Sequence, residues 1–215
     1  MYGKSASRLK IWLLDALGFN HLFYKHRECK MSELLNGVNL ENIGQLAEAV
    51  KADNSVGKIT FFAKSKWVAG TKTEVTVNKI NSNGQDITRQ GREFKFYVDE
   101  PAQLGGLDEA PNPVEYVIGG LCGCITGAIA SNAALFGTKL DEIEVSVEAG
   151  CDLVGVFGFD KSVSSGLSNL KYSVKLKGPD SKEKMLKSKE TIDKKSSVLN
   201  TLKNTLPVET SAEIG

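Results

Sequence analysis

Between Tyr116 and Phe136 the chain runs without a single charge, reading YVIGGLCGCITGAIASNAALF, with Cys122 and Cys124 inside the run. A stretch this long with no turn chemistry predicts one helix, and its lack of a polar face requires cover on all sides. Its length also suits a bilayer, and Gly119, Gly123 and Gly127 repeat at the spacing of packed membrane helices. Other features point away from a membrane. Thr126, Ser131 and Asn132 lie inside the run, and strong hydrophobes are sparse. Acidic residues flank both ends (Asp108, Glu109 and Glu115; Asp141 and Glu142), with no positive bias on either side. The expectation is a soluble central helix and no membrane partner.

The signals around the run are specific. Asn112 is placed to cap the helix, Pro113 to occupy its first position, and Glu115 to close a capping box. Gly137 marks the stop. Upstream, Leu40, Ile43, Leu46, Ala47 and Val50 keep a helical period behind Asn39 as cap. Strand-like runs follow at Lys58–Trp67, Thr73–Ile80 and Arg92–Val98, with turns at Gly70 and at Asn81-Ser82-Asn83-Gly84. Beyond Gly137, strands are expected over Ile143–Ala149 and Asn169–Lys177. A second helix is expected over Lys182–Asp193, capped by Ser181, and a mixed tail from Ser197 to Val208. Strands grouped between helices, rather than alternating with them, give an α+β class.

Composition removes several functions. Lys and Arg number 27 against 26 Asp and Glu, so no global field draws nucleic acid. Cys29, Cys122, Cys124 and Cys151 lack the spacing of a disulfide framework, and a Cys-x-Cys inside a helix suits a reducing, cytoplasmic setting. The only histidines, His21 and His26, lie near the N-terminus, which speaks against zinc, and no cofactor is expected. Residues 1–34 form an extension of different character. Lys4, Arg8, Lys10, Lys25, Arg27 and Lys30 outnumber Asp15 and Glu28 there, and Ile11–Leu17 is apolar. That pattern fits a mitochondrial-type presequence, a surface helix, or a leader before Met31.

The cysteines of the central run pose the functional question. Residues two apart on a helix point about 200° from each other, so Cys122 and Cys124 do not form a redox pair. Cys124 lies about 18 Å along the axis from the cap, beyond reach of its own helix dipole. A reactive thiolate there requires a cation from another element, with Arg92 and Arg89 as the candidates nearest in sequence. The alternative is a small buried hydrophobe.

Val98-Asp99-Glu100-Pro101, Leu104-Gly105-Gly106, and above all Asn112-Pro113-Val114-Glu115 followed nine residues later by Cys124, resemble the osmotically inducible protein C (OsmC-like) family. That family includes the organic hydroperoxide resistance proteins. The resemblance runs from Leu35 to Val208 and places an OsmC-like domain at residues 35–215. It implies antiparallel sheets around two long central helices in an intertwined homodimer. It also implies reduction of a small organic hydroperoxide by a cysteine thiolate, which an Arg and a Glu hold ionised. Cys124 matches the peroxidatic cysteine and Glu115 the glutamate; no arginine sits in a matching motif, and Arg92 is assigned to the role. The family's second, resolving cysteine stands in a Cys-Pro-Val context, where this chain reads Ser196-Ser197-Val198. Two readings follow. One is a thiol peroxidase whose sulfenic acid is reduced by an external thiol. The other is a non-catalytic binding or stress-associated protein in which Cys124 packs or senses oxidants.

Overall fold

Among the described residues, a capped helix and four antiparallel strands precede the central run. The computed structural model describes residues 34–214, and these divide into two units that meet in sequence at Pro113 and Val114. The readings made for residues 1–30, His21, His26 and Cys29 lie outside the described residues.

In the first unit, helix α1 (Leu40–Ala52) starts where expected, with the Asn39 side chain accepting a hydrogen bond from the Asn42 N–H at 3.0 Å. Strands β1 (Ile59–Ala69), β2 (Lys72–Ser82), β3 (Gln85–Asp86) and β4 (Phe94–Val98) follow. β2 is the middle strand: β1 pairs along one edge, and β3 and β4 pair in tandem along the other. Two-residue loops set the registers. Asn83 and Gly84 take φ of 48° and 79° and bring Ser82 opposite Gln85. Beyond β4 the chain folds back onto one carboxylate. Asp99 is buried and accepts from the Thr71 hydroxyl at 2.7 Å and from the Glu100, Leu107 and Glu109 amides. Gly106 is required in that loop, because a Cβ there would fall 1.7 Å from the Glu100 carbonyl oxygen.

The second unit is built on helix α2 (Pro113–Leu135), which takes in the uncharged run as a single element. Pro113 opens it, and Gly137, at φ 62°, ends it. Then come β5 (Glu142–Gly150), a single turn α3 (Leu153–Val156), β6 (Ser168–Lys177), α4 (Lys182–Glu190), α5 (Ile192–Lys195) and α6 (Ser197–Lys203). β5 and β6 form an antiparallel ladder from Glu142↔Lys177 to Gly150↔Ser168. Period-2 patterning gives it two different faces. One is lined by ion pairs, Glu142–Lys177, Glu144–Lys175 and Glu148–Lys171. The other carries Ile143, Val145, Val147, Leu170, Val174 and Leu176 against Leu121, Ile125 and Ile129 of α2. Those three α2 residues recur every fourth position and are fully buried, each contributing about 2 kcal/mol.

The α+β class and the antiparallel sheets are as the sequence predicts. The second long helix differs from expectation: it is three short helices, broken at Thr191 and again at Ser196. The first break has a visible cause. Asn132 of α2 donates its side-chain amide to the Ser188 carbonyl at 3.1 Å and to the Thr191 hydroxyl at 2.7 Å. The Ser188 carbonyl is the one that the Ile192 N–H would otherwise occupy in a continuous helix. At the second break Ser196 leaves the helical region, with φ −64° and ψ 119°, and caps a new helix.

Candidate functional site

Cys124 sits in the middle of α2, half-buried, on the side of the helix that meets the start of α6. Its Sγ lies 3.3 Å from Ser196 Oγ and 4.0 Å from Ser197 Oγ. Ser196 is itself buried and acts as the cap of α6, its Oγ accepting the Leu199 N–H at 3.2 Å. With its oxygen engaged as an acceptor, the Ser196 hydroxyl has its one proton left to point at the sulfur. The break in the second helix therefore builds the thiol's environment. Were α5 to run on unbroken into α6, Ser196 would be an interior helical residue and not a cap.

Two opposing effects act on the thiol. Burial is the largest and pushes its pKa up. The Ser196 hydroxyl, the Val198 N–H, and the hydroxyl and N–H of Ser197 together outweigh it and hold the thiol below its ordinary value. Within this unit the groups that lower its pKa carry no charge. Neutral donors at a helix start lower it, a recognised way to favour a thiolate. Sequence reasoning noticed Ser196 and Ser197 only as the loss of a second cysteine. The available signal was their position as a cap ahead of Val198 and Leu199.

The other candidates are placed differently. Glu115 is exposed in the first turn of α2. Nine residues of continuous helix separate it from Cys124, about 13.5 Å along the axis and half a turn around it. The two side chains of one chain therefore do not meet. Arg92 belongs to the first unit, just before β4. Its guanidinium stacks over Phe94 at 4.9 Å, and its Nη1 is buried without a hydrogen-bond partner. Arg89 is exposed. Cys122, Cys124 and Cys151 are all free thiols, Cys122 half-buried and Cys151 exposed. No cluster of metal-ligating side chains occurs among the described residues.

Residues 106–211, which hold this thiol and both serines, match the family model described as OsmC-like protein. The chain belongs to the OsmC-like family. Among solved structures it is similar to the OsmC-like protein of Mycoplasma pneumoniae, at 13% identity and a TM-score of 0.51 over 67% of this chain and 87% of that one. An OsmC-like hydroperoxide resistance protein from a Jannaschia species aligns at 19% identity and TM-score 0.38, over 73% and 93% of the two chains. An organic hydroperoxide resistance protein OsmC from Legionella pneumophila aligns at 18% and 0.42, over 66% and 88%. At such identities the likeness is one of fold. No curated protein gives a significant match. Within this OsmC-like domain, α2 is also long and apolar enough to cross a membrane by length and composition, while its Leu121, Ile125 and Ile129 stripe is buried on the sheet.

Proposed function

We propose that this OsmC-like protein reduces organic hydroperoxides in defence against peroxide stress, with Cys124 as the peroxidatic thiol. The observation that carries the reading is the Cys124–Ser196 contact at 3.3 Å, which favours the thiolate although the sulfur is half-buried. The Cys124 thiolate attacks the outer oxygen of the hydroperoxide, the O–O bond breaks, and an alcohol leaves after taking up a proton. Cys124 becomes a sulfenic acid. With Ser196 and Ser197 beside the sulfur, no second thiol among the described residues stands there to condense with it. An external thiol therefore forms a mixed disulfide and releases water, and a second equivalent of thiol regenerates Cys124 as the disulfide departs.

A homodimer belongs to the same proposal. Every residue of β1 is exposed, including Phe61 at 69% and Trp67 at 77%, a large apolar strand face for one unit to leave uncovered. On α2, Gly119, Gly120, Gly123 and Gly127 have open space in front of them. A second copy accounts for both surfaces. It also offers a source for the carboxylate, since Glu115 and Cys124 of one chain lie on opposite sides of α2.

The absence of a second thiol at the site favours one other reading, in which Cys124 is oxidised once and held as a sensor. Thiol-dependent turnover of cumene hydroperoxide separates the two. The peroxidase reading expects many turnovers per chain for the native protein and none for Cys124→Ser. Stoichiometric oxidation that stops after one equivalent of peroxide, with excess thiol present, selects the sensor.

A further inference from the structure

The second unit also holds a cavity of about 460 Å3 between β6 and α4, formed by residues that the thiol chemistry does not use. Its floor is apolar: Val174 and Leu176 come from β6, and Met185 and Leu186 from α4. Its volume falls within the range of small-molecule sites. Tyr172 and Ser173 complete the strand side, and two lysines complete the helix side. Lys182 and Lys189 lie seven residues apart on α4, on the helix face that Met185 and Leu186 share.

The two lysines are not equivalent. Lys182 makes no ion pair among the described residues. Lys189 is held in place, its ammonium 5.1 Å from the Tyr172 ring centre and 3.5 Å from an Asp193 carboxylate oxygen. The other Asp193 oxygen accepts a hydrogen bond from the Tyr172 hydroxyl. Burial lowers the Lys189 pKa, but Tyr172 and Asp193 outweigh it and keep the charge in place. The cavity thus pairs an apolar floor with one fixed ammonium and one that lacks a counter-charge.

That combination selects among ligand classes. A small inorganic anion would leave the apolar side chains wet, and a neutral alkane would make no use of the Lys182 ammonium at the mouth. We propose that the cavity binds a fatty carboxylate, its chain over Val174, Leu176 and Met185 and its head group on Lys182. The site does not depend on the peroxidase reading, because Cys124 takes no part in it.

Titration calorimetry on the full chain tests it, with dodecanoate kept below its micelle concentration and methyl dodecanoate as the uncharged probe. The expected result is saturable binding of one dodecanoate per chain and clearly weaker binding of the ester. Lys182→Glu weakens dodecanoate about fivefold, as expected for an exposed ion pair turned repulsive, and leaves the ester unchanged. Leu186→Glu, at a side chain 59% exposed and so tolerated by the fold, weakens both probes. The proposal is overturned by no saturable binding, by equal affinity for acid and ester, or by indifference to both substitutions. It is also overturned if binding disappears at concentrations where the chain self-associates, since a second copy would then fill the cavity.

Discussion

Replacing Ser196 by alanine removes the hydroxyl 3.3 Å from the Cys124 sulfur and changes little else in volume at a buried position. Two losses follow, and they read out in different experiments. The first is the cap of α6, where the Leu199 N–H loses its acceptor at a cost of about 1 kcal/mol in stability. The second is a hydrogen bond to an ionised sulfur, worth about 1.5 kcal/mol. At pH values where the thiol is mostly protonated, that second loss is about a tenfold drop in the thiolate fraction. Peptide-resolved alkylation by iodoacetamide, followed against pH, measures it at Cys124 alone. The variant is expected to react about tenfold more slowly near neutrality. It should approach the native rate once the pH passes the ionisation of both forms. Ser196→Thr keeps the hydroxyl and the cap and should stay close to native.

Linkage gives the accompanying stability test a definite sign. The folded-state pKa of Cys124 lies below its ordinary value, so the folded chain binds fewer protons than the unfolded one between the two pKa values. Stability then rises with pH through that window, is fully present above the unfolded value of about 8.5, and is lost as pH falls through the folded value. Ser196→Ala should flatten this rise in urea-unfolding curves, and Cys124→Ser should abolish it. If Ser196→Ala keeps the native alkylation profile while circular dichroism shows an intact fold, the serine hydroxyl does not hold the thiolate. The account of the site then fails.

Ser196→Cys places a thiol where Oγ already stands 3.3 Å from Cys124, against about 2.05 Å for a formed S–S bond. One equivalent of cumene hydroperoxide should then consume two thiols and give an intramolecular disulfide, seen as a mass loss of two hydrogens, and dithiothreitol-supported turnover should increase. Retention of a lone sulfenic acid would show that the approach is blocked. Ile125→Ala, at a fully buried position on the α2 stripe, should cost about 3 kcal/mol in urea unfolding, whereas a loss below about 1 kcal/mol would mean that the stripe does not carry the core. Asp99 has its pKa lowered to about 2, chiefly by the Thr71 hydroxyl bond, so its contribution is complete above about 4 and disappears as pH falls through about 2. Asp99→Asn should therefore weaken the first unit at neutral pH and blunt its acid transition, followed through Trp67 fluorescence; an unchanged transition refutes the assignment.

Much of the fold was legible because it rests on local signals. Asn39 and Ser181 cap their helices as their residue types predict, and Pro113 and Gly137 bound α2 at its first position and just past its end. Five of the six strands fall within one or two residues of the sequence reading, since period-2 patterning and the Asn83-Gly84 turn fix them independently of anything distant, and the two-residue β3 was not read. The break at Thr191 was not legible. It depends on Asn132, 59 residues earlier, offering an amide to a carbonyl of the second helix, and no local propensity encodes that contact. The site was half legible for the same reason. Cys124 stood out as a thiol amid small residues, but the groups that lower its pKa come from a helix start 72 residues away.

A thiol in the interior of a long helix has no help from its own backbone, because every nearby N–H is committed to the carbonyl four residues back. Activation must come from elsewhere, either as a charge or as unsatisfied donors. A continuous second helix would present only side chains to Cys124. A second helix that breaks at Ser196 presents free N–H groups and a capping hydroxyl as well. The serine that replaces a second thiol is therefore not a silent loss. Its hydroxyl, with the amides that follow it, lowers the pKa of the sulfur it faces. On the proposed chemistry, Cys124 would begin the reaction with peroxide within the second unit and a thiol from outside would complete it.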